Sequence, residues 1–426
     1  MNLVYADSNG NVYDHPGYTA LARNAEMITE ILDHELIPLP DGATLVSLPG
    51  TLPIGIDQDT GRMERVEGDH CAVGALLPQG YTRLLLPSYV KIDANQAFPI
   101  FGYTAVVWKD GNFYVAAELT DNPYYWNPLH CDVNKLQKQV NKMISRYPDN
   151  RVYQHLSKCA LEYECLTASN TFLQRWEGGV PVSFSCNASC FGCISEQPED
   201  SLFVAPQTRM KFKPKVEELV EIMLEHLVTP DSMISFGQGC EGEPSTQAAL
   251  IIEAIRRVRQ CTELGYININ TNGGLTDQIR NIVDEGLDLM RVSTISAIDE
   301  HYQAYYQPKG YTLQNVEKSI RYATDQGVLT SINYLVFPGV SDREEEIEAM
   351  IEFARRSGLQ YIQLRNLNID PESYLKIIPK PRGDVMGMSQ MLAIYRQEIP
   401  HIVIGSYTHT PEFFKHRREK SISNHL

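Results

Sequence analysis

The chain has 426 residues, 43% of them hydrophobic and 21% charged, with a formal net charge of −16. That length exceeds one ordinary domain and supports at least one large core, in a composition typical of soluble globular proteins. The acidic balance argues against general binding to nucleic acid or anionic membranes; no basic–apolar leader and no long uncharged apolar run is present, so neither export nor a membrane span is expected.

Residues 1–135 read as a β-rich domain. Met1-Asn-Leu-Val-Tyr-Ala6 and Asn11-Val-Tyr13 flank Ser8-Asn-Gly10, a hairpin turn signal. Tyr103-Thr-Ala-Val-Val-Trp108 and Phe113-Tyr-Val-Ala-Ala117 flank a second, Lys109-Asp-Gly-Asn112. Between them, 38–53 is rich in proline, glycine and aliphatics and reads as irregular or short strands. Asp121-Asn-Pro-Tyr-Tyr-Trp-Asn-Pro128 is aromatic and turn-rich, suited to loop or core packing or to a pocket wall. The domain serves either as a structural cover or as a substrate-recognition module. Residues 136–177 read as a helical linker, with a helix from about Val133 to Tyr147.

Cys186, Cys190 and Cys193 follow the apolar stretch Val180-Pro-Val-Ser-Phe184 in the run Ser185-Cys-Asn-Ala-Ser-Cys-Phe-Gly-Cys-Ile194. The spacing is C-x3-C-x2-C. So short a loop can put three thiolates on three corners of one iron–sulfur cube. Four-cysteine ligation saturates every iron, whereas three ligands leave one iron open to a substrate or cofactor. The competing reading is a zinc knuckle or a set of buried thiols, but the spacing is unusual for structural zinc and no fourth ligand stands nearby.

Downstream, strands alternate with helices. Ser232–Gly237 reads as a strand running into Gln238-Gly-Cys-Glu-Gly-Glu-Pro244, then a helix from Gln247 to Leu264 with apolar residues at i, i+3, i+4. Strands follow at Tyr266–Asn272, Leu289–Ser296, Leu329–Phe337 and Tyr361–Asn366, and helices at Thr276–Glu285, Tyr311–Gly327 and Ser341–Gly358, the last with Ser341 as its cap. Repeated strand–helix units imply parallel strands with right-handed crossovers. The expected fold class is α/β, a partial (βα)6 barrel over residues 178–370 with its polar groups at the C-terminal strand ends. There Arg365, Asn366 and Asn368 suit a carboxylate or amide on the substrate, or cap loop ends. Residues 371–426 form a C-terminal extension whose basic run Lys415-His-Arg-Arg-Glu-Lys420 reads as a solvated end.

The cysteine triplet, with Gly242-Glu243-Pro244 after the second strand, resembles the radical S-adenosylmethionine (SAM) superfamily over about residues 178–370. The resemblance implies a [4Fe–4S] cluster on Cys186, Cys190 and Cys193, which are also the catalytic residues. It implies that the open iron binds SAM, which one electron cleaves to methionine and a 5′-deoxyadenosyl radical that takes hydrogen from a substrate. It gives Gly242, Glu243 and Pro244 the SAM ammonium, an assignment that suits acceptor groups beside a glycine. It places Asn270, Thr271, Asn272, Ser293 and Ser296 at the ribose and carboxylate of SAM and Asn333 beside the adenine; Arg291 either pairs with that carboxylate or is a solvated or structural arginine. The family's usual aromatic before the third cysteine is Gly192 here, with Phe191 one place earlier. Adenine packing therefore differs, or Phe191 swings in.

Nine cysteines in so large a chain fit a reducing, cytoplasmic setting rather than a disulfide framework. Cys159 and Cys165 are candidates for an auxiliary cluster, with buried small hydrophobes as the default; Cys240 is a candidate hydrogen-atom participant or simply a small residue in a tight turn. The expected function is a radical SAM enzyme, with modification of a peptide or protein as the leading reaction. Rearrangement of a small metabolite and activation of a glycyl-radical enzyme are the enzyme alternatives, and a cluster-bearing sensor or scaffold the non-enzyme one. The expected partners are a substrate and a reductant such as flavodoxin or ferredoxin, without nucleic acid or membrane.

Overall fold

The protein is described from a computed structural model, over residues 1–380 and 382–407. The basic run 415–420 lies outside the described residues.

Residues 2–119 build an antiparallel sheet of 14 strands. Both expected hairpins form. Asn2–Asp7 pairs with Val12–Asn24, and the Asp7 carboxylate closes the turn by accepting the amides of Asn9 and Asn11, each at 2.9 Å. Val106–Lys109 pairs with Asn112–Leu119 with Lys109 opposite Asn112. The two loop residues, Asp110 and Gly111, have φ of 50° and 78°, the pair of positive values that a two-residue hairpin of matching twist requires. The stretch 38–53 contributes Thr44–Leu48 and the start of Thr51–Asp57.

Three helices follow: α1 (Val133–Arg146), α2 (Arg151–Leu161) and α3 (Leu166–Leu173). Asp132 and Asn150 cap α1 and α2 by accepting first-turn amides. Seven parallel strands then stand side by side in chain order: Glu177–Gly179, Met233–Phe236, Tyr266–Thr271, Leu289–Thr294, Leu329–Val336, Tyr361–Asn366 and Val403–Gly405. The crossovers carry α4 (Val216–His226), α5 (Ala248–Cys261), α6 (Thr276–Asp284), α7 (Asp299–Tyr306), α8 (Leu313–Asp325), α9 (Glu344–Ser357), α10 (Pro371–Ile377) and α11 (Met388–Glu398). The second, fourth and fifth strands are almost wholly buried, as strands covered by crossover helices must be. This is the expected α/β partial barrel, with a seventh strand added from the C-terminal extension.

The first strand precedes the apolar stretch 180–184: its ladder ends when the Val180 amide donates to Ser235 O at 2.9 Å. The next free amides, Val182 and Ser183, go to the Glu241 carboxylate instead of a strand. Ser341 does not cap α9. Its hydroxyl accepts the Phe337 amide at 2.9 Å, and the helix starts after Arg343.

The N-terminal sheet and the barrel share one continuous core. Arg83, with none of its surface exposed, donates to Leu367 O at 2.8 Å and to Tyr103 O at 3.3 Å. Lys91 pairs with Asp370 at 2.6 Å and with Glu372 at 3.0 Å, and Arg23 reaches Glu372 at 2.9 Å. These contacts fix the N-terminal sheet over the C-terminal end of the sixth strand.

Candidate active site

The cysteine loop is held by backbone contacts to the end of α7. Phe191 N donates to Tyr305 O at 2.8 Å, and Ser189 N to Tyr306 O at 3.1 Å. Cys193 N turns back onto Cys190 O at 3.1 Å. Cys186, Cys190 and Cys193 all reach one cavity of about 530 Å³ at the C-terminal ends of the strands. The loop has no room for an aromatic at 192: even a Cβ there would stand 2.7 Å from the Tyr305 hydroxyl and 3.0 Å from Ile369 Cδ1. Tyr305 itself lines the cavity, and Phe191 packs edge-on against Phe203 at 5.3 Å instead of lining it. The aromatic wall by the third cysteine thus comes from α7.

The turn after the second strand presses directly on this loop. Gly242 N donates to Ser183 O at 2.7 Å and Glu243 N to Ser185 O at 2.9 Å. A Cβ on Gly242 would fall 2.0 Å from Ser185 O, so close packing on the cysteine loop demands glycine there. Glu241 is buried beneath and accepts four amides, from Val182, Ser183, Gly237 and Gln238, at 2.7–2.8 Å. Burial pushes its carboxyl up to about 7 while the four N–H groups pull it down. Glu243 is also buried and raised by desolvation. Its Oε1 accepts Ser245 N, Ser245 Oγ and Thr271 Oγ1; its Oε2 accepts only Asn272 N, at 2.7 Å. The motif carboxylate therefore locks the second strand's turn to the third strand's end and keeps acceptor capacity on one oxygen. Pro244 opens a short 3-10 helix that Glu243 caps.

Asn270, Thr271, Asn272, Ser293 and Asn333 line the cavity with Gly242, Glu243 and Pro244. Asn272 Nδ2 donates to Asn187 Oδ1 at 2.7 Å, another brace on the cysteine loop. Ser293 and Asn333 are register neighbours, and Asn333 Oδ1 is buried without a partner among the described residues. Arg291 and Ser296 do not reach the wall. Arg291 lies deeper in the barrel and pairs with both Glu177 oxygens at 3.2 Å, so its charge is taken up internally. Ser296 Oγ donates to the Glu346 carboxylate at 2.8 Å, with His301 Nδ1 on the same group at 2.5 Å.

At the sixth strand, Asn366 is committed to the N-terminal sheet, accepting Arg83 N at 2.9 Å and donating to Tyr81 O at 3.0 Å. Arg365 and Asn368 line the cavity. No hydrogen bond or ion pair engages the Arg365 guanidinium among the described residues. Burial and the like charge of Arg291 hold it down to about 10, still protonated at neutral pH. Residues 77–81 of the N-terminal sheet complete this side of the wall.

Sequence reasoning missed three contributors. Tyr305 gives no signal, because α7 carries no strong periodicity. Arg209, whose Nη2 reaches Cys193 Sγ at 3.4 Å, lies in an irregular segment. Glu241 stood in the quoted motif and was passed over for its neighbour.

The residues fit a [4Fe–4S] cluster and SAM. Three thiols converge on one cavity, and Arg209 offers positive charge where thiolates must form. Burial raises Cys186 and Cys190, and Arg209 acts in the opposite sense on both. Spare acceptors on Glu243 Oε2 and Asn333 Oδ1 suit a ligand rich in N–H groups.

Residues 180–354 match the family model described as the radical SAM superfamily. A curated relative from Chlorobium luteolum, a probable dual-specificity RNA methyltransferase RlmN, is 30% identical over 147 residues, which are 32% of this chain and 40% of the relative. The chain thus spans well under half of that relative's length. Among solved structures, methylornithine synthase (PylB) aligns with 62% of this chain and 78% of its own at 14% identity and a TM-score of 0.37. Streptococcus suis SuiB bound to S-adenosylmethionine aligns with 63% of this chain and 60% of its own at 13% identity and a TM-score of 0.38. At those values the two structures add no argument. Enzymes of the matched family bind a [4Fe–4S] cluster and SAM. Residues 180–354, which contain the cysteine loop and the Gly242-Glu243-Pro244 turn, form a radical SAM domain.

Proposed function

We propose that this chain is an enzyme that cleaves SAM reductively and abstracts hydrogen from a substrate carrying an anionic group. The observation that carries the reading is the convergence of Cys186, Cys190 and Cys193 with the Glu243 turn on one cavity. With Cys186, Cys190 and Cys193 as its ligands, a bound cluster and SAM would supply a primary carbon radical. The chain's own residues do the rest. Glu243 Oε2 and the adjacent backbone accept from the ammonium, Asn270, Ser293 and Asn333 offer polar contacts to the ribose and adenine, and Tyr305 offers the adenine an aromatic wall. Arg209 Nη2 stands 3.4 Å from Cys193 Sγ and brings a positive charge to the cluster loop. Tyr305, Ile369 and the N-terminal residues 77–81 limit water.

Arg365 supports the substrate's anionic group, because a guanidinium without a protein partner in a walled cavity calls for a carboxylate or phosphate. A cavity of about 530 Å³ takes a side chain or a small molecule rather than a folded surface. A carboxylate-bearing peptide or protein segment is the reading we favour, with the N-terminal sheet guiding it; an acidic small metabolite is the alternative. The relative named as an RNA methyltransferase supports a nucleic-acid substrate, and the net charge of −16 opposes it. A low-potential electron carrier such as flavodoxin or ferredoxin completes the system. Among the described residues no helix is long and apolar enough to cross a membrane.

Two substitutions test the reading together. Glu243→Gln keeps Oε1 but turns a donor toward the ammonium, and is expected to weaken SAM binding roughly ten- to hundredfold with the cluster intact, the value of about 1.5–3 kcal/mol for a charge-assisted bond. Arg365→Met is expected to leave SAM affinity and substrate-free cleavage unchanged while removing hydrogen abstraction from the true substrate. Unchanged SAM affinity in the first variant, or full turnover in the second, contradicts the assigned role.

A further inference from the structure

Behind the cavity wall, His155, Cys159 and Cys240 bring three ligand atoms within 4.8 Å of one another. We propose that these residues hold a single zinc ion that braces α2 against the turn bearing Glu241 and Glu243. The site is separate from the cluster loop and stands whether or not the cavity binds SAM.

His155 and Cys159 are four residues apart on α2, so they project from one face, one turn apart. Cys240 enters from the other side, in the turn after the second strand. Cys159 and Cys240 are 0% and 3% exposed, so a metal between them is shielded from competing water and chelators. The imidazole also has a backbone partner that suits ligation through its other nitrogen. Its Nε2 lies 3.2 Å from Cys240 O. A carbonyl only accepts, so Nε2 carries the hydrogen and Nδ1 keeps its lone pair. Zinc-bound histidines are oriented in this way, with the second nitrogen donating to a backbone carbonyl or carboxylate.

The spacing selects one ion over a cluster. Zinc takes sulfur at about 2.3 Å and nitrogen at about 2.0–2.1 Å, which puts tetrahedral ligand atoms about 3.5–3.8 Å apart. Ligand atoms within 4.8 Å close onto such an ion by small side-chain adjustments. An iron–sulfur cube spreads its ligands over several irons and takes thiolate from more residues than two. Cys159, a candidate with Cys165 for an auxiliary cluster, serves this mononuclear site instead in the proposal. The fourth position falls to water, because the Cys165 thiol is not among the ligand atoms gathered within 4.8 Å. Binding exchanges two thiol protons for the metal dication, with no change of oxidation state.

Metal analysis of the full-length protein, purified anaerobically, exposed to zinc salt and desalted, tests the proposal. One zinc per chain is expected beside the cluster iron. A Cys159→Ser/Cys240→Ser double variant is expected to lose the zinc and keep the iron, whereas Cys261→Ser, at an exposed cysteine, is expected to keep both. No zinc in the wild type, or equal zinc in the double variant, overturns the proposal. So does a Cys159–Cys240 disulfide found by mass spectrometry in anaerobic protein. If the double variant also loses iron, cobalt(II) added to cluster-free wild-type protein decides. Thiolate-to-cobalt charge-transfer absorption with tetrahedral visible bands that zinc displaces supports the site, and their absence overturns it.

Discussion

Replacing Cys186, Cys190 and Cys193 together with alanine is expected to remove all cluster iron and sulfide and, with them, all cleavage of SAM. The wild type, prepared anaerobically, is expected to be brown with about four irons and four sulfides per chain, as a [4Fe–4S] centre requires. The loss should be chemical rather than structural. The loop is held by Phe191 N and Ser189 N on the carbonyls of Tyr305 and Tyr306 and by Asn272 on Asn187, none of which involves a thiol. The variant should therefore keep its circular dichroism and its melting profile while losing the visible absorption and the electron paramagnetic resonance signal of the reduced state. Full iron and sulfide in the triple variant would show that other residues ligate the cluster. A colourless wild type holding zinc at these three cysteines would favour the zinc knuckle.

Glu241→Gln is expected to be the most destabilising single change near the cavity. The carboxylate oxygens accept four amides at 2.7–2.8 Å from two separate chain segments, 182–183 and 237–238. Glutamine keeps one oxygen and sets an NH2 group against the other two amides. Each buried N–H left without an acceptor costs about 1–3 kcal/mol, so the variant should lose about 2–6 kcal/mol. Hydrogen exchange at pH 8, above the value of about 7 to which burial raises the group, should quicken at Val182, Ser183, Gly237 and Gln238 ahead of the rest of the barrel. Unchanged protection at those four amides would mean that Glu241 does not tie the segments together.

The elements legible in the sequence are those whose signal is local. The Asp-Gly turn, the strand–helix alternation from 232 to 366 and the C-x3-C-x2-C loop each declare themselves within a few residues. What was missed depends on distant partners. The first strand ends at Val180 because Glu241, some sixty residues on, takes the next amides. Val403–Gly405 is three residues long and becomes a strand only by pairing with Tyr361–Gln363. Strand position alone leaves Arg291 open between a cofactor contact and a structural arginine, because it does not show depth; Glu177 at the barrel's base claims its charge. Asn366 was placed at the mouth correctly, yet the N-terminal sheet takes both its donor and its acceptor. Gly192 could be seen to break the family pattern, but only the packing of Tyr305 explains it. The pairing of His155 and Cys159 with Cys240 lay beyond the sequence, since it needs the second strand's turn brought against α2.

The measurement that tests the central claim most directly is SAM cleavage by the reconstituted wild-type protein. With dithionite or a reduced flavodoxin under anaerobic conditions, 5′-deoxyadenosine and methionine should form in equal amounts, more than one per chain over time, and not at all without reductant. SAM recovered intact from protein that carries a full, reducible cluster and binds SAM would contradict the account and leave a cluster-bearing sensor or scaffold in its place.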